Sequence, residues 1–194
     1  FPLYFGLIPA GERRAATLRR ILEGEPEGIE VESYLPEVFY RYGADDAAYA
    51  EILKLSDPAK ERREYPEVPF ALIGAVATGL MGLEPDARTR TIATRSRLTP
   101  ETEWAELRNI PVFDNAIDIR HDGRRGTSFA VRAGGDVVWR AVVEGRWKEL
   151  TVNGVARQAL QGEDEVGRPV SWVMIRLAAG EKAVVNVAGG SEKP

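Results

Sequence analysis

From position 68 to 83 every residue is apolar or small and none is charged. A helix that is hydrophobic on all sides must be enclosed on all sides, by a core or by a bilayer. The run is sixteen residues long and holds three glycines, short of the ~20 apolar residues that a membrane span needs. It reads as a buried central helix. Arg62, Arg63, Glu64 and Glu67 crowd its front end, and Pro66 stands where a first-turn proline is tolerated. A buried helix whose open end is charged points at a pocket.

Upstream the pattern keeps a helical period. Between Gly11 and Gly24, Ala15, Leu18, Ile21 and Leu22 share one face, with arginines opposite and a glycine stop. Ser33 as cap and Pro36 as first residue predict a second helix through Val38, Phe39 and Tyr40 to Gly43. Asp45 or Asp46 caps a third, with Ala48, Tyr49, Ile52 and Leu53 inward. Amphipathic helices thus alternate with more apolar ones, which predicts two successive helical hairpins, each with a solvent-facing outer helix and an enclosed inner one. The loops into the inner helices, 32–37 and 62–67, then open on the same side. They carry the related strings SYLPE at 33–37 and EYPE at 64–67.

After Pro85 the period falls to two. Segments 116–121, 127–132, 137–143, 147–152, 155–160, 170–177 and 182–187 read as strands, punctuated by Asp122-Gly123, Gly134-Gly135 and Asn153-Gly154. About seven strands at this spacing predict a small antiparallel sandwich. The fold class is α+β: helical hairpins over 1–86, a connecting arm over 87–114, a sandwich over 115–188 and a disordered tail over 189–194.

Composition narrows the chemistry. A net charge of −4 leaves no electrostatic footprint for nucleic acid. The absence of cysteine excludes disulfides and thiolate metal sites and slightly favours a cytoplasmic setting. A single histidine, His121, removes His-rich metal sites and argues against a Ser-His-Asp triad; ahead of Asp122-Gly123 it reads as an exposed turn residue. Neither glycine pair, 134–135 or 189–190, leads from a strand into a helix, so no phosphate loop is expected. Arg124-Arg125 reads as a charged hairpin tip. Of the four tryptophans, Trp139 and Trp172 lie in alternating strands and read as core, and Trp147 as exposed. A chain of 194 residues that opens at Phe1 in an apolar stretch reads as a piece of a longer polypeptide.

The order of hairpins, then Gly82-Leu83-Glu84-Pro85-Asp86, then Leu98-Thr99-Pro100, then Asn115-Ala116-Ile117-Asp118-Ile119 resembles the C-terminal end of the six-hairpin, or (α/α)6-barrel, glycoside hydrolases. The resemblance implies a toroid's last two hairpins followed by a β-sandwich, with the remaining four hairpins on an N-terminal part of the same enzyme or on a second chain.

That resemblance also implies an inverting pair of carboxyl groups, one protonating the leaving oxygen and one activating water. The base belongs in the loop before the last inner helix, which here holds Glu64 and Glu67. Arg62 or Arg63 would pair with one of them and reach sugar hydroxyls. Glu32, Ser33, Tyr34 and Glu37, in the equivalent loop, form the second pocket set. Both sets also read as ordinary helix starts, with carboxylates near the positive end of the dipole. The general acid falls outside these residues, and no metal or organic cofactor is implied. A sugar phosphorylase would share the architecture but needs a phosphate site. A non-catalytic carbohydrate-binding or structural module is the alternative from another class. An exposed apolar flank on the helices would favour the larger enzyme.

Overall fold

The computed structural model describes residues 2–60 and 66–187. The chain divides into two compact units, Phe1–Leu80 and Met81–Pro194.

The first unit is helical: α1 (Glu12–Glu23), α2 (Ile29–Ser33), α3 (Leu35–Arg41), α4 (Asp45–Ser56) and α5 (Glu67–Gly74), which continues as a π-helical segment, Ala75–Leu80. Packing follows sequence order. α2 lies against α5, and α3 against the π-helical segment, so the two inner helical stretches run in the same direction and start at the same end. α4 returns outside them, packed on α3. Leu35, Val38, Phe39 and Tyr40 from α3, Ala48, Ile52 and Leu55 from α4, and Val68, Ala75 and Leu80 from the last helical stretch form the buried set, joined by Leu3. Gly79 is required where it stands. A Cβ there would lie 2.2 Å from the Tyr40 ring, so only glycine lets the π-helical backbone close on α3.

Several expected details differ. α1 buries no residue; Leu18 and Ile21 are half-buried and Leu22 is exposed. Ser33 ends α2 instead of capping α3, its hydroxyl donating to the Glu30 carbonyl at 2.7 Å, and Pro36 is the second residue of α3. Asp45 is buried as the first residue of α4, and Ala44 stands at the cap position. The largest difference lies in the central helix. It is not enclosed all round: Val68, Ala75, Gly79 and Leu80 are buried, but Phe70 is 74% and Ile73 65% exposed.

Among the described residues the second unit is a β-sandwich of eleven strands: β1 (Glu84–Asp86), β2 (Thr91–Arg95), β3 (Trp104–Val112), β4 (Asn115–Asp122), β5 (Gly126–Ala133), β6 (Val137–Glu144), β7 (Glu149–Val152), β8 (Val155–Gln158), β9 (Leu160–Glu163), β10 (Pro169–Leu177) and β11 (Lys182–Val187). One sheet runs β1-β2-β6-β10-β9 and the other β3-β4-β5-β11-β7-β8. Pairing is antiparallel except between β2 and β6. The 87–114 stretch, expected as an arm, contributes β2 and β3, one to each sheet. Strict alternation in β4 and β6 delivers Ile117, Ile119, Val137, Trp139, Ala141 and Val143 to the core. Phe129 stacks on Trp139 with ring centroids 5.3 Å apart, joining the sheets, and the Trp139 indole donates to the Thr94 hydroxyl at 2.9 Å. Asn153-Gly154, with φ of 50° and 82°, makes the expected tight hairpin.

Three side chains of this unit sit elsewhere than expected. His121 is fully buried, its Nε2 3.0 Å from the Met81 carbonyl. It faces inward because it keeps the phase of Ile117 and Ile119, and alternation outweighs proximity to the turn. Trp147 is half-buried, its indole donating to the Glu144 carbonyl at 2.7 Å. Trp172 lies in the phase opposite to Ser171 and Val173, on the outward face, with the Arg140 guanidinium 4.3 Å over its ring.

Candidate functional site

The charged and aromatic chemistry of the helical unit gathers around the junction of α2 and α3. Two clusters stand there, one turned inward and one facing out.

The inward cluster is built on Glu32, at the end of α2, whose side chain is 6% exposed. Lys54 meets one of its oxygens at 2.6 Å and Lys60 the other at 2.5 Å. Burial pushes the Glu32 carboxyl up, but hydrogen bonds from the two ammonium groups more than reverse it and leave the pKa below the usual range. Glu51, one turn before Lys54, lies 3.6 Å from the same ammonium. There burial wins, with the Glu32 charge adding to it, and the pKa rises. Two carboxyl groups sharing one lysine are thus pushed in opposite directions. Both oxygens of Glu32 are committed to lysines, so it acts as a fixed anion tying α2, α4 and residue 60 together.

The outward cluster is built on α3 and the segment before α1. Tyr34 precedes α3 and Glu37 lies in its first turn. Tyr4 meets Tyr34 edge-on at 4.9 Å between ring centroids, and Phe5 meets Tyr4 at 5.2 Å. The Tyr4 hydroxyl bonds Glu37; burial first, then the Glu37 charge, raise its pKa. Arg41, one turn on, approaches Glu37 at 3.7 Å and donates to the Tyr4 carbonyl. The segment is held firmly: Tyr42 donates to the Leu3 carbonyl at 2.8 Å, as does the Gly6 amide at 3.0 Å. Leu3 is buried beneath, leaving Phe5 outward and 65% exposed.

Of the residues expected from sequence, the structure brings Tyr34 and Glu37 together, turns Glu32 onto lysines, and ties Ser33 to its own helix. Glu67 is the first residue of α5, half-buried behind Pro66. Glu64, Arg62 and Arg63 lie outside the described residues. Tyr4, Phe5, Arg41, Glu51, Lys54 and Lys60 were missed. Only the Glu51–Lys54 and Glu37–Arg41 spacings gave a local signal; the contacts of Glu32 with the lysines and of Tyr4 with α3 join residues far apart in sequence. Among the described residues no three His, Asp or Glu side chains stand together to hold a metal, and no helix is long and apolar enough to cross a membrane.

No protein-family model and no curated protein matches the chain. Solved structures do. An α-L-rhamnosidase from Dictyoglumus thermophilum superposes with a TM-score of 0.64 at 14% identity, 95% of this chain matching 24% of that one. A provisionally assigned kojibiose phosphorylase from the human microbiome gives a TM-score of 0.44 at 10% identity, over 80% of this chain and 20% of its own. The first likeness establishes the fold as glycoside hydrolase-like, helical hairpins followed by a β-sandwich. The chain spans about a quarter of that enzyme's length, 24% of it.

Proposed function

We propose that this chain forms one wall of the sugar pocket of a carbohydrate-active enzyme that hydrolyses glycosidic bonds, its hairpins completing an (α/α)6 toroid and its sandwich bracing it. The supporting observation is the exposed face of α5. Phe70 and Ile73, one turn apart, lie open on the helix that composition marks for full burial, and helical hairpins of the same architecture are the partner that would cover them. Glu64 or Glu67 serves as general base at the start of that helix, Tyr34 and Glu37 contact the sugar, Arg62 or Arg63 pairs with the base, and the general acid comes from the rest of the toroid. Glu32 and Ser33 hold the pocket wall through α2.

The test is hydrolysis of a panel of aryl glycosides by the protein as isolated from its source, wild type against Glu64→Gln and Glu67→Gln. One of the two variants loses roughly 10³-fold in kcat, the scale of general-base catalysis. Full activity in both, or no hydrolysis by the wild type, overturns the proposal. A second reading, a non-catalytic carbohydrate-binding module, is favoured by the outward cluster, whose aromatic rings and single carboxylate suit binding without chemistry.

A further inference from the structure

We infer that Tyr4, Phe5, Tyr34, Glu37 and Arg41 form a built subsite for an uncharged sugar ring, in which the aromatic side chains receive the ring's apolar face and the Glu37–Arg41 pair takes two neighbouring hydroxyls. The inference rests on the carbohydrate reading above but not on Glu64 or Glu67.

Three observations carry it. The first is the aromatic surface. Tyr34, Tyr4 and Phe5 are contiguous, at 4.9 and 5.2 Å between centroids, and the outermost, Phe5, is open to solvent. A pyranose presents C–H groups on one face, and an aromatic ring receives such a face with little loss of conformational freedom. The second is the polar edge. Glu37 accepts from hydroxyls and Arg41 donates to them, and the two stand 3.7 Å apart, a spacing that matches vicinal hydroxyls. Their charges cancel within the cluster, so it offers no net attraction for an acidic sugar. The third is rigidity. The segment carrying Tyr4 and Phe5 is fixed by the Tyr42 and Arg41 side chains onto its carbonyls and by the buried Leu3. A platform ordered before binding spares the ligand that entropic cost. Tyr34 and Glu37 stand at the junction of α2 and α3, within an inner helical stretch.

The experiment is NMR titration of the 194-residue chain with methyl glycosides of neutral hexoses and deoxyhexoses, with methyl glucuronide alongside. At least one neutral glycoside shifts the resonances of Tyr4, Tyr34 and Glu37, with a Kd of about 1 mM or somewhat above, as a single-ring site allows. Phe5→Ala, at an exposed position, weakens binding about tenfold, as does Glu37→Gln, whereas Trp104→Ala in the sandwich changes nothing. Methyl glucuronide binds no better than its neutral counterpart. The inference fails if no neutral glycoside moves these resonances, if Phe5→Ala and Glu37→Gln leave the titration unchanged, or if the uronide is strongly preferred. Binding here without hydrolysis in the aryl glycoside assay would keep the subsite and remove the enzymatic reading. Hydrolysis without shifts at these residues would do the reverse.

Discussion

His121 shows most plainly how one side chain records its surroundings. Burial holds its imidazole neutral and lowers its pKa from 6.5 to about 4, against the smaller upward pull of the Met81 carbonyl. Above pH 6.5 the ring is neutral whether the chain is folded or unfolded, and its contribution is intact. Below that, the unfolded chain takes up a proton that the folded one refuses until about pH 4, so stability falls through this window by roughly 3 kcal/mol. Denaturant unfolding at about pH 7 and pH 4 checks it: the wild type loses that much more than His121→Gln, whose amide keeps a donor for the Met81 carbonyl but does not titrate. Equal losses in the two proteins would contradict the assignment. Glu32 behaves in the opposite sense. Its pKa is lowered in the fold, so its contribution is present above the ordinary carboxylate range and lost as pH falls through it. Glu32→Gln, which leaves Lys54 and Lys60 without their anion, costs about 2 kcal/mol at neutral pH; this lies below the usual range for breaking a buried pair because the lysines are partly exposed. Thermal unfolding at neutral pH measures this, and a change under about 0.5 kcal/mol would make the clamp incidental.

At the scale of elements, the helical unit depends on the close approach of the π-helical segment to α3. Gly79→Ala forces a methyl against the buried Tyr40 ring and destabilises by about 2 kcal/mol, as overpacking does; Gly74→Ala, in open space on the preceding turn, is neutral or mildly stabilising. Chemical denaturation of both variants separates a steric cause from a general intolerance of side chains in this helix. Which elements exist was largely legible in sequence. Period-two alternation and the Asp-Gly and Asn-Gly turns marked the strands from β4 onward except β9, whose polar residues after Leu160 gave no strand pattern, and the spacing of apolar residues marked α1 and α4. What alternation could not give was partner choice: β2 pairs parallel with β6, and β3 joins the opposite sheet, pairings set by long-range packing. His121 was misplaced because its neighbouring turn was weighed above its phase in β4. The site was half legible. Tyr34 and Glu37 announced themselves as a helix start, but Tyr4 and Phe5 reach them only through the fold.

At the scale of the whole molecule, both units keep apolar side chains at the surface. Trp139, Phe129 and their neighbours close the sandwich core from both sheets, with Trp104, Val155 and Leu160 exposed on its surface, and the helical unit leaves Leu7, Leu53, Phe70 and Ile73 exposed. The pair on α5, Phe70 and Ile73, exposed one turn apart on an otherwise apolar helix, is what a unit that completes its core against further hairpins would leave, and it underlies the proposal that the chain works as part of a toroid. Because Phe70 and Ile73 already lie in solvent here, Phe70→Ser with Ile73→Ser leaves the unfolding free energy of the 194-residue chain within about 0.5 kcal/mol of wild type. The most direct measurement is covalent footprinting of Phe70 and Ile73, comparing the 194-residue chain with the protein as isolated from its source. The account predicts strong labelling of both residues in the chain alone and protection in the native protein. Equal labelling in the two would mean that nothing covers α5, and the toroid would have to be abandoned.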